Sequence, residues 1–261
     1  MYPGVKTWNP FLGCEYDCSY CEPSFKKVLK WIANKNRCEG CRDYRPHYHP
    51  ERLRPQNIPS EETVFVFGQG DISFCDPEYV RRTFGVIRRK HSKVKKSYYF
   101  QSKNPRCLGQ YIGEYPEGTM LVTTLETNRD EGYEAISKAP RPSVRFRDFY
   151  DLDYPGKVVT VEPVMDFDVE AFLGWLCSLQ DQGSLQYVWF GFNSNPDKVG
   201  LPEPSEEKAQ EFVDLVQASG IEVRGKMLRG VRLPLKIGRW VVDDLGRVSK
   251  SSSPPSAASK T

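Results

Sequence analysis

Residues 13–23, GCEYDCSYCEP, place three cysteines within eight positions of one another. Cys14, Cys18 and Cys21 follow the spacing C-x3-C-x2-C, and Tyr20 stands directly before the last of them. A structural zinc site takes four ligands and a disulfide takes two, so three adjacent thiols complete neither kind of site. The remainder of the chain has to indicate what these thiols bind.

The composition is that of a globular protein without a membrane span. The chain has 261 residues, of which 39% are hydrophobic and 27% charged, and it lacks any run of about 18 apolar residues. The opening MYPGVKTWNP has no signal-peptide pattern, so we expect a cytoplasmic location, where the eight cysteines stay reduced. Arg247, Lys250 and Lys260 account for the net charge of +3, so the global charge does not indicate a nucleic-acid binder.

Short apolar runs alternate with helical patterns along the chain, which predicts an α/β fold with a buried parallel sheet. Three helices are predicted: 76–90, capped by Asp76 and started by Pro77; 168–180; and 205–220, capped by Ser205. Six or seven βα units fit the length, and a closed eight-stranded barrel would be tight. We therefore predict a partial (β/α)6-type barrel. Its strands are expected at 5–9, 63–68, 96–102, 119–126, 157–164, 186–192 and 221–228.

We assign residues 1–240 to this barrel, with a Cys/His-containing insert at 22–60 after the first strand. Residues 241–261 form a C-terminal extension. Its end, SKSSSPPSAASKT, has nothing to bury, so we expect disorder from about residue 249.

The cysteine loop follows the first predicted strand, at the end where α/β barrels place their active sites. Three thiolates on one tight loop can hold three corners of a [4Fe–4S] cluster and leave the fourth iron open to a ligand. A zinc site that also uses Cys38 or Cys41 is the alternative. It is disfavoured because zinc ribbons use paired C-x2-C knuckles.

This motif, C-x3-C-x-aromatic-C after the first strand of an α/β barrel, resembles the signature of the radical S-adenosylmethionine (SAM) superfamily. The resemblance implies that SAM chelates the open iron and is cleaved by one electron to a 5′-deoxyadenosyl radical, which abstracts a hydrogen atom from substrate. It also implies a flavodoxin- or ferredoxin-type electron donor. With the opening TWNP, the chain is similar to a little-characterised, phage- and archaeal-associated branch.

The resemblance extends to the ends of the other predicted strands. FGQGDIS (67–73) is similar to the glycine-rich turn that contacts the methionyl amino group, and TTLETN (123–128) lies where the family places a ribose contact. FQSKNP, VEPV and GFNSN bring further polar groups to the same mouth. The cofactor-binding residues implied in this way are Tyr20, Gly68, Gly70, Asp71, Gln101, Ser102, Glu126, Thr127, Asn128, Glu162 and Asn193.

A second metal candidate lies in the insert, where Cys38, Cys41, His47 and His49 form a C-x2-C-x5-H-x-H pattern. The His–His spacing is shorter than is usual for zinc, but the segment has little core of its own and needs a staple. A structural zinc ion, a pair of free cysteines and an auxiliary iron–sulfur cluster remain open. Cys75 and Cys107 follow the second and third strands and are candidate catalytic hydrogen donors, with unused thiols as the alternative.

Basic segments bear on the substrate. Residues 81–96 carry eight Lys/Arg and residues 224–239 carry six, without an acid in either, and the insert interleaves cations with Trp31, Tyr44 and Tyr48. Such interleaving suits phosphate contact and base stacking. We expect modification or repair of RNA or DNA. The alternatives are a radical SAM enzyme acting on a peptide, partner protein or small metabolite, and a non-enzymatic zinc-binding nucleic-acid module.

Overall fold

The computed structural model describes residues 2, 4–36, 38–233, 240–242 and 248–250. The strands of the main body are β1 (Val5–Trp8), β2 (Phe11–Leu12), β3 (His47–Tyr48), β4 (Thr63–Val66), β5 (Ser97–Gln101), β6 (Thr119–Thr124), β7 (Lys157–Val161), β8 (Leu185–Phe190) and β9 (Val223–Gly225). Its α-helices are α1 (Lys27–Asn36), α2 (Glu39–Asp43), α3 (Pro77–His91), α4 (Arg106–Gly109), α5 (Pro142–Tyr150), α6 (Val169–Asp181) and α7 (Glu206–Ala218).

Seven of these strands form one sheet in the order β1-β4-β5-β6-β7-β8-β9. Every neighbouring pair is parallel, so the carboxyl ends of all seven strands meet along one edge. Six strand–helix units followed by β9 make a half-barrel. This confirms the predicted fold class, and each of the seven predicted runs overlaps one strand of the sheet.

The two faces of the sheet carry different apolar clusters because side chains alternate along each strand. One face gathers Val5, Tyr99, Val122, Val158, Tyr187 and Trp189, all buried. The opposite face packs on the helices: Phe100 of β5 contacts Phe84 of α3, with ring centroids 5.3 Å apart. Phe190 of β8 lies 6.3 Å from Phe212 of α7. The core therefore continues through the sheet into the helical layer.

The three predicted helices are present. The Asp76 carboxylate accepts hydrogen bonds from the backbone N–H groups of Glu78 and Tyr79, at 2.9 and 3.1 Å, and Pro77 occupies the first helical position of α3. The Ser205 hydroxyl accepts from the N–H of Lys208 at 3.2 Å, which caps α7 in the same way. These caps set both starts because they satisfy amides that lack an intrahelical partner.

The predicted insert contains α1, α2 and β3, and it is tied to the barrel by a small antiparallel pair. Phe11 of β2 pairs with Tyr48 of β3, and Leu12 pairs with His47. The buried side chains of Leu12, Leu29 and Tyr44 form a separate apolar cluster on which Cys14 packs. The insert is thus fastened to the segment that leads into the cysteine loop.

The chain divides into a unit of residues 1–231 and a unit of residues 232–261. In the second unit, β10 (Trp240–Val242) pairs with β11 (Val248–Lys250) in an antiparallel ladder. Disorder is expected from about residue 249, and β11 includes Ser249 and Lys250. The rest of the expected tail, 251–261, lies outside the described residues. No helix in the described ranges combines the length and apolar character needed for a membrane crossing.

We expect Asp76→Ala to lower the free energy of unfolding by about 1 kcal/mol, because the first amides of α3 lose their acceptor. Urea denaturation followed by circular dichroism measures the change. Asp76→Asn keeps a side-chain oxygen at the cap and is the control. An equal loss in both variants would show that the carboxylate acts through its charge and not through capping.

Candidate functional site

The cysteine loop lies at the carboxyl edge of the sheet, between the insert and the turn that follows β4. The N–H of Gly13 donates to the Gln69 carbonyl and the N–H of Asp71 donates to the Gly13 carbonyl, both at 3.2 Å. A side chain at Gly70 would come within 2.8 Å of the Gly13 carbonyl oxygen. The predicted glycine-rich turn therefore has a clear structural role: Gly70 lets it approach the cysteine loop backbone to backbone.

The three thiols gather in one side-chain cluster. Cys18 forms a buried apolar group with Tyr16 and Ala139. Cys14 and Cys21 pack against this group, together with Tyr20 and Phe74. Cys18 is buried, and its sulfur lies 3.1 Å from the Ser137 hydroxyl. A hydrogen bond from Cys21 lowers the pKa of Cys18 to about 5, and the Lys103 charge assists it against the effect of burial. A group of soft sulfur donors beside a cation, shielded by aromatic rings, fits an iron–sulfur cluster.

Asp71 is a buried hub that fixes the turn after β4 to the end of β5. Its carboxylate accepts from the Ser102 hydroxyl at 2.7 Å and from the Lys103 N–H at 2.9 Å, and it also accepts from Ser73. Burial raises the pKa of Asp71 in spite of these hydrogen bonds. Asp71 and Ser102 therefore orient the strand ends, and both are engaged with the protein itself. Gly68 lies against Thr7 and Phe65, where a side chain would collide.

Glu126 is the centre of a charge network in which it and Arg145 are fully buried. Its carboxylate contacts the Lys103 ammonium on one side and the Arg145 guanidinium, at 2.7 Å, on the other. The hydroxyls of Tyr20 and Tyr133 donate to the same carboxylate at 2.5 and 3.0 Å. Burial opposes ionisation of Glu126, but the charges of Arg145 and Lys103 outweigh it and hold its pKa at about 2. Tyr20, at the aromatic position of the motif, is thereby joined to the end of β6.

Two cations against one carboxylate leave this network with an excess of positive charge. Lys103 and Arg145 are both buried, and the pKa of each is raised although burial acts to lower it. The Lys103 charge also lowers the pKa of Cys18, so the Cys18 thiolate adds a second negative charge next to Lys103. With the Cys18 thiolate counted beside the Glu126 carboxylate, the two cations face two negative charges.

Gln101 ends β5, Thr127 and Asn128 follow β6, and the three differ in whether a polar atom is left for a ligand. Gln101 donates to the Thr124 hydroxyl at 2.8 Å, and its buried carbonyl oxygen finds no hydrogen-bond partner within the described ranges. Thr127 donates to the Asp166 carbonyl at 2.6 Å, and Asn128 donates to the Asp168 carbonyl at 3.1 Å. Gln101 thus retains an acceptor for a ligand, whereas the polar atoms of Thr127 and Asn128 secure a neighbouring loop.

Glu162 directly follows β7, and Asn193 lies in the segment that follows β8 at the same edge. Glu162 forms an ion pair with Lys226, which follows β9. The side-chain amide of Asn193 donates to the Val199 carbonyl at 2.9 Å, and its backbone N–H donates to Glu203. Both polar groups are therefore occupied within the protein.

Of the two other candidate thiols, Cys107 is joined to the hub and Cys75 is not. The Cys107 sulfur donates to the Ser102 hydroxyl at 3.4 Å, and burial with the Asp71 charge raises its pKa to about 12. Cys75 is buried at the end of the turn before α3, where burial and Asp76 raise its pKa. A catalytic role remains a prediction for both thiols.

A cavity of about 490 Å³ opens beside the cysteine loop. It lies next to the thiol cluster, because Tyr16 and Ala139 belong to both and Ser137 contacts the Cys18 sulfur. Its volume is in the range of small-molecule sites. The sequence did not single out its lining residues, which come from three separate segments: Tyr16, Asn104, Tyr133, Glu134, Ser137, Lys138, Ala139, Pro140 and Arg141. Lys103 and Arg145 were missed as well, because their partner is distant in sequence.

The insert brings its two cysteines and two histidines together. One ligand atom from each of Cys38, Cys41, His47 and His49 lies within 4.8 Å of all the others. The Cys41 sulfur is 3.2 Å from His47 Nε2 and 3.4 Å from His49 Nε2, and the two nitrogens are 3.0 Å apart. Both histidines of the pattern therefore take part in the group, in spite of their short spacing.

No protein-family model matches the chain, and no curated protein matches it. Among solved structures, a radical SAM methyltransferase from Sphaerobacter thermophilus is similar, with a TM-score of 0.50 and 14% identity over 87% of this chain and 67% of that one. Native anSMEcpe with bound AdoMet and Cp18Cys peptide gives a TM-score of 0.47, and histidine-tagged anSMEcpe with bound AdoMet gives 0.48. Both are 9% identical over 84% of this chain, and cover 62% and 63% of theirs.

The chain shares its fold with the methyltransferase. It spans about two thirds of that protein's length and less than two thirds of either anSMEcpe chain.

We expect Glu126→Gln to lower the free energy of unfolding at pH 7 by about 3–5 kcal/mol, because Lys103 and Arg145 would face each other without their shared anion. The folded-state pKa of Glu126 lies below its ordinary value of 4.5, so its stabilisation is complete above that pH and is lost as the pH falls towards 2. Urea titrations from pH 7 to about pH 2.5 should show a flatter acid limb for the variant.

Glu114→Gln is the matched control, because the Glu114–Arg81 pair at 2.9 Å is exposed and should contribute little. Equal losses in the two variants would contradict the central role of Glu126.

Proposed function

We propose that this protein is a radical SAM enzyme of the phage- and archaeal-associated branch that its opening TWNP resembles. Cys14, Cys18 and Cys21 would hold a [4Fe–4S] cluster in the cytoplasm, where free thiols persist. The observation that carries the proposal is the packing of all three thiols in one cluster with Tyr16, Tyr20 and Ala139, at the carboxyl edge of the half-barrel. Every cysteine of the chain is free, so none of the three is committed to a disulfide.

When bound, the cluster and SAM supply one-electron cleavage of a sulfonium bond, with electrons from a flavodoxin- or ferredoxin-type donor. The 490 Å³ cavity beside the thiols gives a small molecule room. Outside the lining of that cavity, the Gln101 carbonyl oxygen offers an acceptor at the end of β5, and Lys103, which Glu126 already contacts, offers a cation. SAM carries both an ammonium and a carboxylate, so these two groups suit its methionyl end.

The chain's own residues would keep this site dry and oriented. Tyr16 and Phe74 stack edge to face with centroids 4.8 Å apart over the thiols. Tyr20 is held between the Glu126 carboxylate and the Lys103 ammonium, which lies 4.6 Å from its ring centroid. A ring fixed in this way presents one constant face to an adenine. The proposed cofactor set is completed by a zinc ion in the Cys38–His49 group.

For the substrate we propose a nucleic acid, which the enzyme would modify or repair. The support comes from α1, which follows the cysteine loop directly. Trp31 is 69% exposed there, and Lys27 and Lys30 are exposed beside it. An aromatic ring between cations can stack a base while the cations contact phosphates.

A peptide, partner protein or small metabolite is the second candidate, and the ion pairs favour it. Arg81, in the first basic segment, pairs with Glu114, and Lys96 is buried against backbone carbonyls. In the last basic segment Lys226 pairs with Glu162, and Arg229 with Glu203. Cations that are already paired release fewer counterions on binding, so they add little phosphate affinity.

We expect Cys18→Ala to abolish both iron binding and the release of 5′-deoxyadenosine, because the cluster would lose one of its three ligands. The measurement is anaerobic reconstitution with iron and sulfide, followed by SAM and dithionite. Cys177→Ala, in α6 and away from the loop, should retain both signals. Cleavage of SAM by the Cys18→Ala protein at the level of the Cys177→Ala protein would refute the proposed function.

If a nucleic acid is the substrate, the logarithm of its binding constant should fall linearly with the logarithm of salt concentration. Trp31→Ala should weaken binding by about 1–3 kcal/mol through the loss of stacking. Fluorescence anisotropy with single-stranded RNA and DNA oligonucleotides measures both. Arg81→Gln removes a paired cation and should leave the affinity unchanged. An affinity that does not depend on salt or on Trp31 would favour the peptide or metabolite alternative.

A further inference from the structure

We propose that Cys38, Cys41, His47 and His49 bind a single Zn²⁺ ion, and that this ion holds the cysteine loop in the conformation that receives the cluster. All four zinc ligands lie in the insert. The effect of the zinc ion on the cluster rests on the proposed function of Cys14, Cys18 and Cys21.

The separations within the group fit one ion. Zinc bonds of about 2.0–2.3 Å in a tetrahedron place neighbouring ligand atoms about 3.3–3.8 Å apart. The Cys41 sulfur and the two imidazole nitrogens are 3.0 to 3.4 Å from one another, and Cys38 completes the set within 4.8 Å. A two-iron cluster with this donor set carries its thiolates on one iron and its imidazoles on the other. That arrangement would separate Cys41 from both histidines, so the contacts favour a mononuclear site.

The histidines are oriented by partners on their far nitrogens. His47 Nδ1 lies 2.7 Å from the Arg45 carbonyl oxygen, and His49 Nδ1 lies 3.0 Å from the Glu51 carboxylate. An acceptor at Nδ1 keeps the proton there and leaves the Nε2 lone pair free for a metal. Both Nε2 atoms face the Cys41 sulfur. Gly40 is also required, because a side chain at that position would collide with the His47 ring.

The same residues are bonded to the segment that enters the cysteine loop. His47 pairs with Leu12 across β2 and β3. The N–H of His49 donates to the Pro10 carbonyl at 2.7 Å. The backbones of two of the four ligand residues, His47 and His49, therefore hold residues 10–12, which immediately precede Gly13 and Cys14.

The α2 end of the insert reaches the loop itself. The N–H of Cys14 donates to the Tyr44 carbonyl at 3.3 Å, directly after α2. Gly13 has φ of +100°, and a side chain there would collide with the Arg45 carbonyl, the same group that accepts from His47. One carbonyl thus touches a zinc ligand on one side and the cysteine loop on the other.

The insert needs a metal cross-link of this kind because its own hydrophobic core is small. Between residues 38 and 51 the described side chains that are buried are those of Cys41 and Tyr44. Tyr44 packs with Leu12 and Leu29, and Cys14 lies against this group. Without the ion, four ligand side chains would lose their common partner, and the contacts to Pro10, Gly13 and Cys14 would open with them.

The test uses the full chain, purified anaerobically. Metal analysis should find about one Zn²⁺ per chain before any iron is added. The zinc is then removed with a chelator and Zn²⁺ alone is added back. Hydrogen exchange, read by mass spectrometry, should show about tenfold or greater slowing at the amides of Cys14 and His49 on zinc addition. Cys38→Ser should lose the zinc and this protection, whereas Cys177→Ser should keep both.

Several outcomes would overturn the inference. The wild-type chain could fail to retain or take up Zn²⁺. A triple variant, Cys14→Ala with Cys18→Ala and Cys21→Ala, could bind iron in place of zinc. The amide of Cys14 could exchange at the same rate with and without bound zinc. Iron reconstitution of the zinc-free chain should fall about tenfold, and undiminished loading would also count against the brace. If zinc binds and protects Cys14 but the three cysteines never take up iron, the zinc inference stands and the proposed function fails.

Discussion

The site depends on a backbone contact that only glycine permits. Gly13 lies between the Arg45 carbonyl of the insert and the Gln69–Asp71 turn after β4, and it forms an isolated parallel bridge with Gly70. Its φ of +100° is a conformation that residues with a Cβ rarely adopt. Because two neighbours approach its backbone, the cysteine loop has a fixed position relative to both the sheet and the insert. Gly13 directly precedes the first thiol, its carbonyl accepts from the N–H of Asp71, and its backbone lies against the Arg45 carbonyl that contacts His47. It therefore connects the thiols, the Asp71 hub and the Cys/His group.

The buried charges behind the loop follow a different rule. A carboxylate such as Glu126 is tolerated in the interior only when cations and hydroxyls satisfy it, and here two cations and two tyrosines do so. With Glu126 alone, the two cations would leave positive charge in the interior, which is costly. The Cys18 thiolate offsets it, because the Lys103 charge acts on Cys18 as well as on Glu126. The network therefore couples the charge of the cysteine loop to the buried carboxylate at the end of β6.

The sequence predicted the fold well because strands and caps are local. Runs such as TVFVFG and KVVTVEPV are apolar on both faces, and Asp76 with Pro77 marks a helix start without any tertiary information. The cysteine motif was equally local. Lys103 and Arg145 could not be assigned, because their shared partner Glu126 lies 23 and 19 positions away along the chain and meets them only in the folded sheet. For the same reason the basic segments looked like open cationic surface, although Arg81, Lys226 and Arg229 pair with distant carboxylates.

These pairings also bear on how a substrate is selected. A neutral body with paired cations exerts little long-range attraction, so recognition has to come from short-range contacts at the mouth. Two features of the described surface can make such contacts: the cavity edged by Glu134, Lys138 and Arg141, and the exposed Trp31 of α1. The cavity belongs to the barrel, whereas Trp31 belongs to the insert that also carries the Cys/His group. Binding of a substrate that needs Trp31 would therefore require a folded insert. A substrate that fits the cavity alone would require the insert only because the insert holds Cys14 in position. Separating the two dependences identifies which part of the molecule selects the substrate.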